Sequence, residues 1–165
     1  MNEVLGTQWN SFFGGLVGAS AALAGLVFVA ISINQSRIVP SFSLRSRAGE
    51  TLILLASGLV AALAALIPGQ PLIVFGAEIL AVAIIPWTIP VVFQLHTVRL
   101  REVKRRWYFW VRVALHQLAV VPTMIAGVLL MAHHSDGDYW LAGGLMLTLV
   151  VGLINGWILL VEISR

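Results

Sequence analysis

Residues 96–112 read HTVRLREVKRRWYFWVR and hold the one dense cluster of positive charge in the chain. Basic side chains interleaved with aromatics line nucleic-acid grooves, and they also collect where helices leave a bilayer. What flanks the stretch decides between the two. LIVFGAEILAVAIIPWTIPVVFQL (72–95) precedes it and FWVRVALHQLAVVPTMIAGVLLMA (109–132) begins at its end. Both are apolar and near the ~20 residues that cross a hydrocarbon core. The basic stretch is therefore read as a loop between two membrane spans.

Composition extends that reading to the whole chain. Of 165 residues, 59% are hydrophobic and 10% charged, with a mean hydropathy of +0.96. Soluble domains run at about 45–50% apolar and about 25% charged, so there is too little polar material here to coat a globule. Five apolar segments stand out, at 11–33, 51–68, 72–95, 109–132 and 140–163. The expected fold is all-α, a single transmembrane domain over 1–165 built as a bundle of five helices. PGQP (68–71) reads as a tight turn joining spans two and three, because proline and glycine end one helix and begin the next. The first segment is read as a retained span rather than a secretory signal, since residues 1–10 carry Glu3 and no Lys or Arg.

Charge then orients the bundle. Arg37, Arg45 and Arg47 lie between spans one and two. Arg99, Arg101, Lys104, Arg105, Arg106 and Arg112 lie between or at the edges of spans three and four, and Arg165 ends the chain. All ten basic residues fall on one side of a five-span arrangement, as the positive-inside bias requires. The N-terminus is expected outside and the C-terminus in the cytoplasm. Trp107, Tyr108 and Trp110 form an interfacial aromatic belt, and Arg99, Arg101, Lys104, Arg105 and Arg106 hold anionic lipid headgroups at the cytoplasmic face. Nucleic acid is excluded as a partner, because no soluble module is present to shape a groove.

Small residues mark where helices meet. Gly14, Gly18, Ala21, Ala22 and Gly25 repeat at three and four along span one, and Gly144, Thr148, Gly152 and Gly156 repeat every four along span five. Span two carries a weaker series, Gly58, Ala61, Ala62 and Ala65. In lipid the hydrophobic effect does not press helices together, so close backbone approach supplies the contact. Each face serves packing within the bundle or contact between copies, and their number points to self-association. Pro86 and Pro90 in span three and Pro122 in span four each remove a backbone donor, which frees a carbonyl one turn earlier. Such a carbonyl must find a neighbour or water, either at a plain kink or at a broken helix that serves a site.

Depth counting at about 1.5 Å per residue puts Ser57, Thr88, His116, Gln117 and Asn155 together near the cytoplasmic face, at the level of Trp87 and Trp157. They are expected to cluster, as a structural polar layer or with His116 as a titratable gate. Glu78 is the one carboxylate well inside a span, with no Lys or Arg at its level. It is expected to be protonated, hydrogen-bonded to Ser20, Thr123 or Thr148, or facing water. Glu162, near the inner end of span five, reads as a snorkelling anchor. At the outer tip HHSDGD (133–138), His133, His134, Asp136 and Asp138 are a weak set for a divalent metal and ordinary turn chemistry otherwise. No cysteine is present, so disulfides and thiolate chemistry are excluded.

LVGASAALAGLVFVAISIN (16–34), followed by a basic loop and a hairpin ending in IPG, resembles a group of small bacterial multi-span membrane proteins without an assigned activity. The resemblance implies a bacterial inner membrane and a similar five-span arrangement, and it brings no functional residues. The translocator-protein family has the same size and span count, but its tryptophan-rich pattern between early spans is missing here.

Three function classes follow. An enzyme is set aside, with no catalytic residues and no cofactor expected, because there is no H-E-x-x-H and no set of paired catalytic aspartates. A homo-oligomeric channel or small-solute pathway is favoured by the small-residue faces, Glu78, the proline-broken helices and the inner polar layer. A non-conducting structural or accessory subunit beside a larger complex is the alternative.

Overall fold

The computed structural model describes residues 7–99 and 106–164, except for the side chains of 7, 8, 43, 89–99, 106–109 and 162–164. The elements are α1 (Thr7–Ile33), the one-turn α2 (Gln35–Ile38), α3 (Phe42–Ala64), α4 (Leu72–Arg99), α5 (Arg106–Met131) and α6 (Gly137–Ser164). No strand occurs among the described residues. Trp9–Ile33, Leu44–Ala64, Trp110–Met131 and Gly137–Val161 are each long and apolar enough to cross a membrane. In α4 the described apolar stretch, Leu72–Thr88, is shorter.

Helix α3 departs most from expectation. It begins at Phe42 rather than 51 and ends at Ala64 rather than 68. The Ser41 hydroxyl accepts from Leu44 N–H at 3.4 Å, so the chain is already helical through Arg45 and Arg47. Those two arginines stand on a helix and not in a loop, and so does Arg112 on α5. PGQP is a turn as expected, with Gly69 at φ 69°, a backbone region that costs glycine nothing.

The turn between α5 and α6 closes in the same hand without glycine. His134 N–H donates to Leu129 O at 2.9 Å and His133 N–H to Leu130 O at 3.0 Å, with His133 at φ 55°. This crossed pair satisfies two orphan carbonyls at the end of α5.

Helix α3 sits at the centre, against α1, α4 and α6; α5 lies between α4 and α6. The core is layered along the bundle. Phe13, Leu16, Ala62, Phe75, Ile79 and Leu141 fill the outer layer, joined by Ala126 and Leu130. Leu54, Ala83, Ala119, Val120 and Val151 form the middle, and Ile38, Ala48 and Leu159 the inner end. Trp9 meets Tyr139 edge-on, with ring centroids 5.3 Å apart, and so ties the start of α1 to the start of α6.

The glycines divide sharply. Those of α6 face inward: a methyl group on Gly144 would lie 2.8 Å from Thr123 N on α5, one on Gly152 2.5 Å from Leu55 Cδ2 on α3, and one on Gly156 3.3 Å from Val27 Cγ2 on α1. The α6 series therefore packs the bundle itself. The tightest helix crossing uses a pair that sequence reading missed. Gly76 of α4 and Gly127 of α5 meet so closely that a methyl on Gly76 would lie 2.7 Å from Gly127 O. On α1, by contrast, nothing lies within 4 Å of a methyl on Gly14, Gly15, Gly18 or Gly25. Only 11% of the apolar window of α1 is buried, against 50% in α3.

Candidate functional site

The polar groups inside the bundle follow one face of α5. Arg112, His116, Ala119 and Thr123 recur at intervals of four, three and four, which keeps them on a single helical stripe. Each meets a different neighbour.

At the inner end, Arg112 Nη2 lies 2.5 Å from Glu50 Oε2 of α3, and Arg112 Nε donates to the same oxygen at 2.9 Å. Glu50 is 5% exposed and Arg112 23%. Arg112 thus locks α5 to α3 instead of serving only as a headgroup anchor. Sequence reasoning did not single out Glu50. Its signal is a carboxylate one turn after Arg47 and just before the first apolar residues of span two.

One turn deeper, His116 is 2% exposed and its Nε2 lies 2.5 Å from Pro86 O. Proline at position 90 has no N–H to give the carbonyl four residues back, so Pro86 O is the freed acceptor that the sequence anticipates. A carbonyl only accepts, so Nε2 is the nitrogen that carries the proton. The imidazole here replaces a missing backbone donor between α4 and α5.

Above this, Thr148 Oγ1 of α6 donates to Gly144 O at 2.9 Å, with Ala119 O at 3.2 Å. Thr123 Oγ1 is buried without a hydrogen-bond partner. Thr123, Thr148, Ser57 and Val82 border a cavity of about 10 Å³, at the lower limit for a single water.

The five residues expected to cluster do not form one network. Ser57 donates to Leu54 O at 2.8 Å and Thr88 to Ile84 O at 3.0 Å, each within its own helix. Only His116 reaches across. Gln117 and Asn155 are half-buried, and Trp87 and Trp157 point outward. A hydroxyl one turn from a carbonyl of its own helix bonds locally, and this removes it from an interhelical layer.

Glu78 finds a partner outside the expected set. Gln70 Nε2, from the turn before α4, donates to Glu78 Oε2 at 2.6 Å. Ser20 and Thr148 stand instead around Gly58, in the bundle interior. Depth alone suggested those partners. The turn leading into α4 brings Gln70 back over the first two turns of that helix, which depth counting along straight helices does not capture.

The four residues of the outer tip do not converge. His134 Nδ1 lies 3.8 Å from Asp136 Oδ2 with both exposed, His133 closes the helix end, and Asp138 is buried in the first turn of α6. Among the described residues no group of three such side chains is placed to hold a metal. Trp110 is exposed. Arg101, Lys104, Arg105 and Arg165 lie outside the described residues, as do the side chains of Arg99, Arg106, Trp107, Tyr108 and Glu162.

Fold and composition together point to a helical protein of membrane type, with four described helices long and apolar enough to span, a polar stripe along α5 and an uncovered glycine face on α1. No family model, curated protein or solved structure matches the chain.

Proposed function

We propose that the protein is a five-span integral membrane protein of a bacterial inner membrane that assembles with copies of itself along α1. The role we assign to the assembly is a pathway for an ion or small solute. The supporting observation is the uncovered small-residue face of α1, with Gly14, Gly18 and Gly25 turned away from the bundle. Lipid tails fill such a face poorly, whereas a second helix brings two backbones into close dispersion contact.

The cavity of about 10 Å³ beside Thr123 has room for one water at most, and the pathway we propose runs between protomers. Glu78 is half-buried, held by Gln70, on α4 and therefore across α3 from α1; we assign it the attraction of cations to this end of the bundle and no contact with the α1 interface. The packed interior favours a second reading, a non-conducting structural or accessory subunit that uses the same α1 face to dock. No catalytic role is proposed.

Flux of protons and monovalent ions from reconstituted liposomes between about pH 5 and 8 separates the two. The pathway reading expects flux from the wild type and loss of its cation preference or pH dependence in Glu78→Gln. Flux indifferent to that substitution removes Glu78 from the mechanism. No flux under any gradient leaves the accessory reading.

Topology is tested separately. The reading puts α4 across the bilayer, the N-terminus outside and the Lys and Arg residues in the cytoplasm. The chain has no cysteine, so Ser36→Cys and Ser135→Cys each introduce one exposed thiol. The two are expected to label from opposite sides, and labelling from one side refutes the arrangement.

A further inference from the structure

The inner halves of α1 and α6 approach at Val27 and Gly156 but do not fill the space around that contact. Between them lies a cleft of about 140 Å³, lined by Leu23, Val27 and Ala30 from α1, Leu55 from α3, and Gly156 and Leu160 from α6, among others. Its lining is apolar almost throughout. Engineered cavities of ~150 Å³ with such walls admit an apolar group of about six carbons. Gly152 and Gly156 keep the α6 wall low, since their missing side chains would otherwise occupy the space.

Leu159, a cleft residue, also belongs to the inner cluster with Ile38 and Ala48, on which Ile31 and Leu44 pack. That cluster adjoins the cleft through Leu159. The residues beside Ile38 and Leu44 are Arg37 and Arg45, both exposed. The Arg45 guanidinium lies 5.7 Å from the Phe42 ring centroid and donates to Val39 O at 3.5 Å, which holds it near the end of α2. The apolar recess thus shares Leu159 with a cluster whose sequence neighbours are two exposed cations.

We infer that the α1–α6 cleft is a binding site for one anionic phospholipid, with an acyl chain in the recess and the phosphate at Arg37 and Arg45. Moving a chain from bilayer into an apolar cleft gains no hydrophobic free energy, because both surroundings are apolar. Selectivity comes from the headgroup. Two basic residues near the surface, at ~1 kcal/mol each, correspond to about a 30-fold preference for anionic over zwitterionic lipid. The site is separate from the outward glycine face of α1, which is lined by Gly14, Gly18 and Gly25, and its occupancy does not depend on self-association.

The test is native mass spectrometry of delipidated full-length protein, reconstituted with equal phosphatidylglycerol and phosphatidylcholine and released from detergent. The expected result is one phosphatidylglycerol adduct on the wild type. Gly156→Leu fills the recess from α6 and Ala30→Phe fills it from α1, so that a folding defect in one leaves the other informative; both are expected to lose the adduct. Arg37→Gln/Arg45→Gln is expected to keep a lipid adduct and lose the 30-fold preference. No adduct on the wild type, or adducts unchanged by both filling variants, overturns the site. Disulfide-linked pairs of Leu153→Cys protomers without lipid would show a second copy in the cleft and overturn it too.

Discussion

Breaking the Glu50–Arg112 pair is the sharpest perturbation of the bundle itself. The charges approach to 2.5 Å at the oxygen and nitrogen, with Glu50 95% covered. Taken between charge centres about 4 Å apart at an effective dielectric near 20, their attraction is about 4 kcal/mol. Desolvation offsets most of this, at several kcal/mol per ion, so the intact pair contributes little net stability. Removing one partner is another matter. Glu50→Ala leaves the Arg112 guanidinium facing a low-dielectric helix interface, and the expected loss is about 3–5 kcal/mol. Arg112→Met strands Glu50 and is expected to cost a similar amount. The double variant Glu50→Leu/Arg112→Met should recover most of the loss, because neither charge is left alone. Equilibrium unfolding in mixed micelles, read by tryptophan fluorescence, measures all four corners of this double-mutant cycle. Additive losses with no recovery, or single losses below about 1 kcal/mol, would refute a buried and mutually dependent pair.

Three further outcomes follow from the packing. His116→Ala should destabilise by about 1–3 kcal/mol, by stranding Pro86 O; in a Pro90→Ala background, where a backbone donor returns, the same substitution should cost markedly less in the same assay. Gly127→Ala puts a methyl 2.9 Å from Leu80 N, so it should cost about 1–3 kcal/mol by forcing α4 and α5 apart, whereas Gly14→Ala, with nothing within 4 Å, should cost the monomer nothing and stabilise its helix by up to about 1 kcal/mol. His133→Gly should raise stability by about 1 kcal/mol, since φ 55° strains a residue with a Cβ, and an unchanged unfolding midpoint would argue against that helix-end conformation.

The helices were legible because their cause is local: an uncharged run of spanning length needs no partner to be recognised. The faces they present were only half legible. Periodicity put Gly144, Gly152 and Gly156 on one side of α6 and Gly14, Gly18 and Gly25 on one side of α1, but the same spacing serves inside contacts on α6 and an outside surface on α1. Which neighbour fills a face is a long-range fact. The same holds for the polar groups. Proline chemistry announced a freed carbonyl in α4, yet nothing near it in sequence named His116, 30 residues away from Pro86. Glu50 and Arg112, 62 residues apart, each look like an interfacial charge until the two helices are laid together. Gln70 was hidden differently, inside a turn whose prolines and glycine explain the chain reversal without it.

The central claim, that α1 joins copies of this chain, is tested most directly by oxidative cross-linking in native membranes. Gly18→Cys places a thiol at the middle of the outward face, and Ala77→Cys places one on an exposed part of α4 as a control. Both are the sole cysteine in their chains. Covalent dimers are expected from Gly18→Cys, with little from Ala77→Cys, at low expression and after dilution with excess lipid. Monomers alone from Gly18→Cys, and equally from Gly14→Cys and Gly25→Cys, would contradict that claim.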